Sequence, residues 1–565
     1  ITYNPLYDDV GELKLRAGTQ DFTEASVVKT FKFGDRAASK ISAGGFDGEE
    51  FEDFKRVTPN VVEENTRRSV LIDNWVQLAD NMQFQFEASR NTHQRNQDLD
   101  SLSPSNADST MNSIRGRFLA DTNFGLWEAD VYHNNLRTTI NLQLDANTGA
   151  TTVFAVDNRV TVAKLNNTFK YGADHTFRLG AEYRQGVNIF DGVGPTAGLL
   201  DQNSDQRFDV YSANALWDYS ISSKWHSSAA LRYDFFDLDK QGPTNTLYVN
   251  NPLNPFDPGI TEDDLDAREL EEFSYNLGLV YDHTEKDTFR FMAARGIDVP
   301  SATEFGLQFL ITDDGQQVTG APPGTLTGLT FLGDPDVESS IVHNFEIGYD
   351  RNIPKWNGMF SASAFYQYND EMHGTGSDFE LSGDTIPLAP GAPNLNFVDP
   401  ADAFRGNIGD SEAYGFELAL DGTYKDNLDW GISYAYIEID DDLRNFGQNP
   451  LDPDAFNSVQ EYEDSVTNHM ISANLGYTHE NWTFDIFGQY LSSFDDITPI
   501  PEFDSTFRLE QADVNDRIFL HANIGYDITD NLRWSVSGSS LTGQTQYNAL
   551  FDAERVVYTT IGMKF

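Results

Sequence analysis

The stretch Arg555-Val-Val-Tyr-Thr-Thr-Ile-Gly-Met-Lys-Phe565 closes the chain. Counting back in twos from Phe565 gives Met563, Ile561, Thr559 and Val557; the other parity holds Lys564, Gly562, Thr560 and Tyr558. One set is mainly apolar and the other mixed, as in a strand with lipid or core on one side only. Taken alone, the pattern fits the last strand of a soluble sheet equally well.

The same alternation recurs along the chain. Met82, Phe84, Phe86 and Ala88 alternate with Gln83, Gln85 and Glu87. Ile518, Leu520, Ala522, Ile524, Tyr526 and Ile528 alternate with Phe519, His521, Asn523, Gly525 and Asp527. A helix would need a period near 3.6, which these segments lack. The pattern predicts about 22 strands, near 10–18, 24–33, 36–46, 66–79, 81–93, 112–122, 124–139, 157–171, 174–189, 206–221, 223–239, 269–284, 286–295, 337–352, 354–373, 406–424, 427–441, 463–480, 482–494, 516–530, 531–542 and 553–565.

The connections alternate short and long. Gly34-Asp35, Asp121-Thr122-Asn123, Ser222-Ser223-Lys224 and Tyr424-Lys425-Asp426-Asn427 are short and rich in turn formers. Nine stretches are long: 47–65, 94–111, 140–156, 190–205, 240–268, 296–336, 374–405, 442–462 and 495–515. Tight turns at one rim and long loops at the other are the signature of a transmembrane antiparallel β-barrel. A hairpin hidden within 296–336 would add two strands. Trp75, Trp217, Tyr219, Trp225, Trp356, Trp430 and Trp534 lie near strand ends, as interfacial aromatic girdles require.

Composition excludes other classes. Asp and Glu number 89 against 38 Lys and Arg, a formal charge of −51, which repels nucleic acid. There is no Cys, hence no disulfide framework and no thiolate site. Mean hydropathy is −0.47 and no run approaches the roughly 18 apolar residues of a spanning helix. A barrel escapes that test because its strands bury only alternate residues in lipid. Aromatic content of 13% argues against an acidic disordered chain. The ten His are scattered, none forms His-Glu-x-x-His, and Gly44-Gly45 and Gly192-Val-Gly194 lead into no phosphate loop. Neither an enzyme nor a cofactor is expected. His343 shares parity with Phe345, Ile347 and Tyr349 and reads as an interface residue.

Several stretches resemble the barrel of the TonB-dependent outer-membrane receptor and transporter family. Phe291-Met-Ala-Ala-Arg-Gly-Ile-Asp-Val-Pro-Ser-Ala-Thr-Glu-Phe305 is similar to the family's "ARGFRxP…xEL" segment through Arg295, Gly296, Pro300 and Glu304. Leu332-Gly-Asp-Pro-Asp-Val-Glu-Ser-Ser-Ile-Val-His-Asn-Phe-Glu-Ile-Gly-Tyr349 resembles "GNPxLxPExSxNxELG" through Gly333, Pro335, Glu338, Glu346 and Gly348, with Asp334 in place of Asn. Asn407, Gly415 and Glu417 match "NxGxAxxxGxE". Ser540-Leu-Thr-Gly-Gln-Thr-Gln-Tyr547 resembles "NLxDxxY", with Ser540 for Asn and Gly543 for Asp. The terminal aromatic, Phe565, resembles the signal read by the barrel-assembly machinery. These motifs cover roughly the second half; the first half resembles the family only in its hairpins.

The resemblance implies residues 1–9 as a lead-in and 10–565 as a barrel in the outer membrane of a Gram-negative bacterium. It implies active transport of a scarce small-molecule ligand, ferric siderophore foremost, with lipopolysaccharide around the wall. It also implies a plug domain of roughly 100–150 residues, about one small domain, and the TonB–ExbB–ExbD system. No plug lies within these residues, so a plug cleaved off, held outside them or supplied as a separate chain is expected. The alternatives are a plugless passive channel and a barrel that houses or secretes a protein partner.

Two sets of loop residues are candidate sites. Phe305, Phe309, Phe331, Phe379 and Phe397 are placed to grip an apolar or planar ligand, or else to pack the loops together. Asp47, Glu49, Glu50, Glu52 and Asp53, then Glu262, Asp263, Asp264 and Asp266, and Asp440, Asp441 and Asp442 offer oxygen ligands for a divalent cation, or are simply solvated charge. None follows the spaced Asp-x-Asp-x-Asp-Gly pattern.

Overall fold

A computed structural model describes the chain except residues 1–3, 52–63, 100–102, 144–150, 194–203, 242–266, 302–303, 306–307, 314–326, 379–384, 388–393, 397–401, 444–461, 502–506, 544 and 547–551. Its wall is a closed antiparallel barrel of 22 strands. They are β1 (Gly11–Gly18), β2 (Thr23–Lys32), β3 (Ala37–Glu49), β4 (Glu64–Ala79), β5 (Met82–Leu99), β6 (Ser103–Thr122), β7 (Gly125–Gln143) and β8 (Thr151–Tyr171). Next come β9 (His175–Val193), β10 (Ser204–Ser220), β11 (Trp225–Gln241), β12 (Ala267–Asp282), β13 (Asp287–Asp298), β14 (Ser340–Ile353) and β15 (Gly358–Asp378). The remainder are β16 (Asp402–Tyr424), β17 (Leu428–Leu443), β18 (His469–His479), β19 (Trp482–Leu491), β20 (Arg517–Thr529), β21 (Leu532–Ser539) and β22 (Val556–Lys564).

Neighbours in sequence are neighbours in the wall, and β1 pairs with β22 to close it, Leu13 opposite Met563 and Leu15 opposite Ile561. The terminal strand thus has a partner on each side, because β21 pairs with its other edge. Phe565 continues the outward parity, is 55% exposed, and has the Lys29 ammonium 5.3 Å from its ring centroid.

Strand β5 shows how the wall is sided. Phe84 and Phe86 are 37% and 45% exposed on the exterior, while Gln85 is 6% exposed on the lumen face and donates to Asp73 at 2.9 Å. Apolar side chains in contact with lipid need no protein neighbour, so their exposure marks the membrane face. Lumen-facing polar groups bond across the strands instead. Lys40 pairs with Asp73 at 3.2 Å, and Arg115 pairs with Asp130. Lys164 reaches Glu182 at 2.9 Å and Arg232 reaches Asp234 at 2.7 Å. These pairs form a charged band on the inner wall from β3 to β11.

Aromatic rings girdle the short-turn rim. His175 stacks on Tyr219 at 4.4 Å, Trp225 on Tyr281 at 4.3 Å, and Trp482 lies 4.5 Å from Tyr526. At the other interface Tyr183 meets Tyr211 at 5.2 Å, and outward-facing His343 stacks beside Tyr368. Trp75 departs from the girdle expectation: it shares the lumen parity of Asp73 and is 8% exposed. Nearness to a strand end carries no information about which side of the wall a residue faces. The turn Tyr424–Asn427 has both central residues in the left-handed region, Lys425 at φ 53° and Asp426 at φ 58°, as tight hairpins demand.

The outer ends of several strands run further than the alternation foretold. The β5–β6 ladder continues to Leu99 opposite Ser103, so most of 94–111 is hairpin rather than loop. Beyond the lipid no face needs to be apolar, so the backbone ladder continues while the periodicity fades. Asp440, Asp441 and Asp442 likewise lie within β17 rather than in a loop. Residues 296–336 do contain a hairpin, Gln308–Asp313 with Thr327–Gly333, but it adds no strand to the wall. It runs beside the outer end of β16 in parallel.

The sidedness is testable on β5. Phe86→Arg, on the lipid face, is expected to cost about 2–4 kcal/mol of folding free energy, and Ser89→Arg, on the lumen face, to cost much less. Equilibrium unfolding into detergent or bilayers measures both; equal costs would reverse the assignment.

Candidate functional site

At the outer end of β13 and β14 the chain turns into the barrel mouth. Ser301-Ala-Thr-Glu304 has the spacing of a capping box, and the bonds are reciprocal. The Ser301 N–H donates to Glu304 Oε2 at 2.6 Å, and the Glu304 N–H donates to Ser301 Oγ at 3.2 Å. The turn buries Phe305 to 1% exposure against Leu238 of β11 and Val337, with Phe208 and Leu270 packed around them. The returning chain is tied to the same turn, since the Asp334 N–H donates to the Glu304 carbonyl at 2.7 Å. Asp334 Oδ1 in turn accepts the Asp336 N–H at 2.7 Å. An Asn carbonyl oxygen accepts in the same way, so Asp334 is a chemically mild departure from the family pattern.

A second tie crosses to β15 and β16. Asn407 Oδ1 accepts the Glu338 N–H at 2.7 Å, and its Nδ2 donates to the Glu338 carbonyl at 3.0 Å and the Glu371 carbonyl at 2.8 Å. Glu371 sits in a β-bulge with φ 53°, its N–H bonded to Asp410 Oδ1 at 3.0 Å. His373 Nε2 lies 2.6 Å from the Glu338 carbonyl, and its Nδ1 lies 3.8 Å from carboxylates of both Asp298 and Glu304. Arg295 makes a separate tie to β12. The β12–β13 ladder stops at Tyr275 opposite Arg295, whose guanidinium donates to the Phe273 carbonyl and pairs with Glu272 at 3.3 Å. Arg268 bonds the Pro335 carbonyl and faces Asp336 at 3.6 Å.

Glu304, Pro335, Glu338 and Asn407, the first and last separated by more than a hundred residues, therefore meet in one knot, with Pro300 buried at its edge, while Arg295 is tied to β12 beside it. Gly333 ends the parallel pairing to β16, opposite Arg405. Glu346, Gly348, Gly415 and Glu417 lie lower in the wall. A Cβ on Gly348 would come within 3.0 Å of the Arg290 guanidinium, and one on Gly415 within 2.1 Å of the Tyr436 carbonyl. Glu346 and Glu417 face the lumen from the two strands flanking β15, and neither has a partner among the described residues.

The other candidates scatter. Phe305 packs the knot rather than lining an open surface. Phe309 and Phe331 are register partners in the loop hairpin, while Phe379 and Phe397 lie outside the described residues. Asp47 is on the exterior, bonded twice by Arg68 at 2.6 and 2.8 Å. The Glu49 N–H donates to the Gln20 carbonyl, Glu50 follows at the strand end, and Glu52, Asp53, Glu262, Asp263, Asp264 and Asp266 lie outside the described residues. Asp441 accepts the backbone N–H groups of Tyr462 and Glu463. No group of three or more potential metal ligands comes together among the described residues. The sequence reading missed His373, Arg268, Leu238 and Phe208, because nothing local distinguishes them from other wall residues.

Asn407 is 5% exposed and satisfies three backbone groups, so Asn407→Ala is expected to destabilise the barrel by about 2–3 kcal/mol through unpaired buried donors and acceptors. Denaturant unfolding checks it; a loss under about 0.5 kcal/mol would mean that the knot is dispensable.

The fold recurs in solved receptors. The ferric-catecholate import receptor Fiu from E. coli K12 in its closed form aligns with a TM-score of 0.69 at 13% identity, over 99% of this chain and 82% of that one. The FrpB iron transporter from Neisseria meningitidis aligns at 0.69 and 12% identity over 99% and 82%. The siderophore receptor PirA from Pseudomonas aeruginosa aligns at 0.64 and 11% identity over 100% and 82%. No curated protein sequence matches the chain. The family model for the TonB-dependent receptor-like β-barrel matches residues 50–540, reaching far into the half where sequence motifs were silent, and the chain belongs to that family of outer-membrane barrels.

Proposed function

We propose that this chain is the wall of an energised outer-membrane importer whose cargo is a scarce metal chelate, a ferric siderophore foremost. The observation that carries the reading is the size of the closed wall. A barrel of this many strands encloses a lumen too wide for its own side chains to fill. Left open it would leak solutes, so it needs an occluding domain, and moving that domain needs energy. Membership of the family supplies the expected arrangement: a plug in the lumen, and the TonB system drawing on proton-motive force. The paired charges on the inner wall from β3 to β11 suit a polar, hydrogen-bonding plug better than an apolar one. Glu346 and Glu417 offer it two free carboxylates.

The wall's own task is mechanical and selective. Its outer mouth and lumen capture the ligand, and it performs no covalent chemistry. The printed names of Fiu, FrpB and PirA concern ferric catecholate, iron and siderophore, which supports iron chelates as the cargo class.

Accumulation of radio-iron chelate by cells carrying the protein tests this. Uptake is expected to vanish when TonB is deleted or a protonophore collapses the proton gradient. Uptake indifferent to both, together with a large steady conductance of the purified protein in planar bilayers, would overturn active import and leave the passive channel.

A further inference from the structure

On the lipid-facing side of each strand, the uncharged run that starts at the short-turn rim ends outward at a first charged residue. On β4, β5, β7 and β8 that residue is an arginine: Arg68, Arg90, Arg137 and Arg159. On β10, β11, β12, β16 and β17 it is a carboxylate: Asp209, Asp237, Glu271, Glu412 and Glu438. Roughly 9–11 tilted residues cross the hydrocarbon, so these positions stand level with the outer headgroups. The exterior is therefore polarised around its circumference, basic on one sector and acidic on the other.

The register draws the four arginines together. Arg90 lies opposite Asn112 of β6, which lies opposite Asn135 of β7 and then Arg159 of β8. One row further out, Arg68 lies opposite Thr92, and Thr110 and Arg137 follow. Asp157, next to Arg137, is the sole carboxylate in these two rows from β4 to β8, and Asp108 of β6 follows one row beyond. Arg68 is held by Asp47 at 2.6 Å and Arg159 by Asp157 at 2.8 Å. Arg90 and Arg137 are exposed and have no partner among the described residues. An unmatched guanidinium at the top of an apolar band, its stem lying along lipid, is placed to fork onto a phosphate.

The other sector turns phosphates away. Its carboxylates take hydrogen bonds from tyrosine hydroxyls of the outer girdle: Tyr183 donates to Asp209 at 2.6 Å, Tyr436 to Glu438, Tyr233 to Glu271 and Tyr366 to Glu412. Their charge repels an anionic headgroup. The arginines on that side are already matched, Arg207 with Asp209 at 2.7 Å and Arg295 with Glu272 at 3.3 Å. In the basic sector, by contrast, Thr110 and Asn112 stand between Arg90 and Arg137 and supply neutral donors and acceptors suited to sugar hydroxyls and amides.

We infer that the β4–β8 sector of the exterior seats the phosphorylated sugar headgroup of an outer-leaflet glycolipid, with Arg90 and Arg137 on its phosphates, and that the acidic sector binds no such lipid. The inference goes beyond the importer reading and does not depend on it, since it concerns the face turned away from the lumen.

Native mass spectrometry of the detergent-solubilised protein, titrated with bis-phosphorylated lipid A and with the same lipid stripped of its phosphates, tests this. The phosphorylated form is expected to bind at least about tenfold more tightly. Arg90→Gln combined with Arg137→Gln is expected to weaken it about tenfold while the unfolding midpoint holds, because both side chains are exposed and unpaired. The single Gln variants, each expected to lose about threefold, repeat the measurement if the double variant fails to fold. Lys29→Gln, which removes an outward-facing cation beside Phe565 near the short-turn rim, is expected to leave the affinity unchanged. Equal affinity for the two lipids, or unchanged affinity in the folded Gln variants, would overturn the inference. An equal loss in Lys29→Gln would reduce the effect to net charge and overturn the site. Equal binding of cardiolipin, which carries two phosphates and no sugar, would overturn the glycolipid headgroup.

Discussion

Within lipid no water is available to a stray N–H or C=O, so the sheet must close on itself. The pairing of β1 with β22 meets that requirement, and the rest of the structure depends on it. An unpaired edge on either strand would expose a row of amides to hydrocarbon. Closure also brings the two ends of the chain together: the Phe565 N–H donates to the Gly11 carbonyl at 2.9 Å, and a Cβ on Gly11 would overlap the Phe565 carbonyl oxygen at 2.0 Å. The last residue is thus locked to the first strand, and glycine permits the approach.

Closure at this strand number creates a second problem, a lumen that side chains cannot fill. The chain answers part of it at the outer mouth. There β12 and β13 part company above Tyr275, and Phe305, just beyond the end of β13, packs against Leu238 of β11. Arg295 caps a carbonyl released by the parting strands, the Ser301–Glu304 box fixes the turn, and Phe305 anchors it in the cluster with Leu238 and Val337. The family motif residues Glu304 and Glu338 of this region therefore tie the turn after β13 to the chain entering β14. The side chains of Glu304 and Asn407 are spent on backbone groups of the knot itself.

How much of this was legible in advance differs by element. Strand number and sequence were readable because lipid on one face imposes a period of two, as the Met82–Ala88 alternation shows. The outer strand ends were not readable, since beyond the lipid the ladder of Leu99 with Ser103 needs no apolar face. Trp75 was misplaced because its position along the strand indicates depth, and only its parity relative to Asp73 indicates side. The acidic runs looked alike in sequence, yet Asp47 holds an exterior ion pair and Asp441 caps a returning backbone.

By itself the sequence determined the class, the number of strands, their order and the rim on which the loops lie. Each of these follows from local alternation and turn chemistry, repeated hairpin by hairpin. Only the tertiary structure decided which residues meet across the wall. Asn407 reaches Glu338 and Glu371, and His373 comes between Asp298 and Glu304, because of register and closure. Those are long-range quantities, set by how far each strand slides past its neighbour, and no local pattern encodes them.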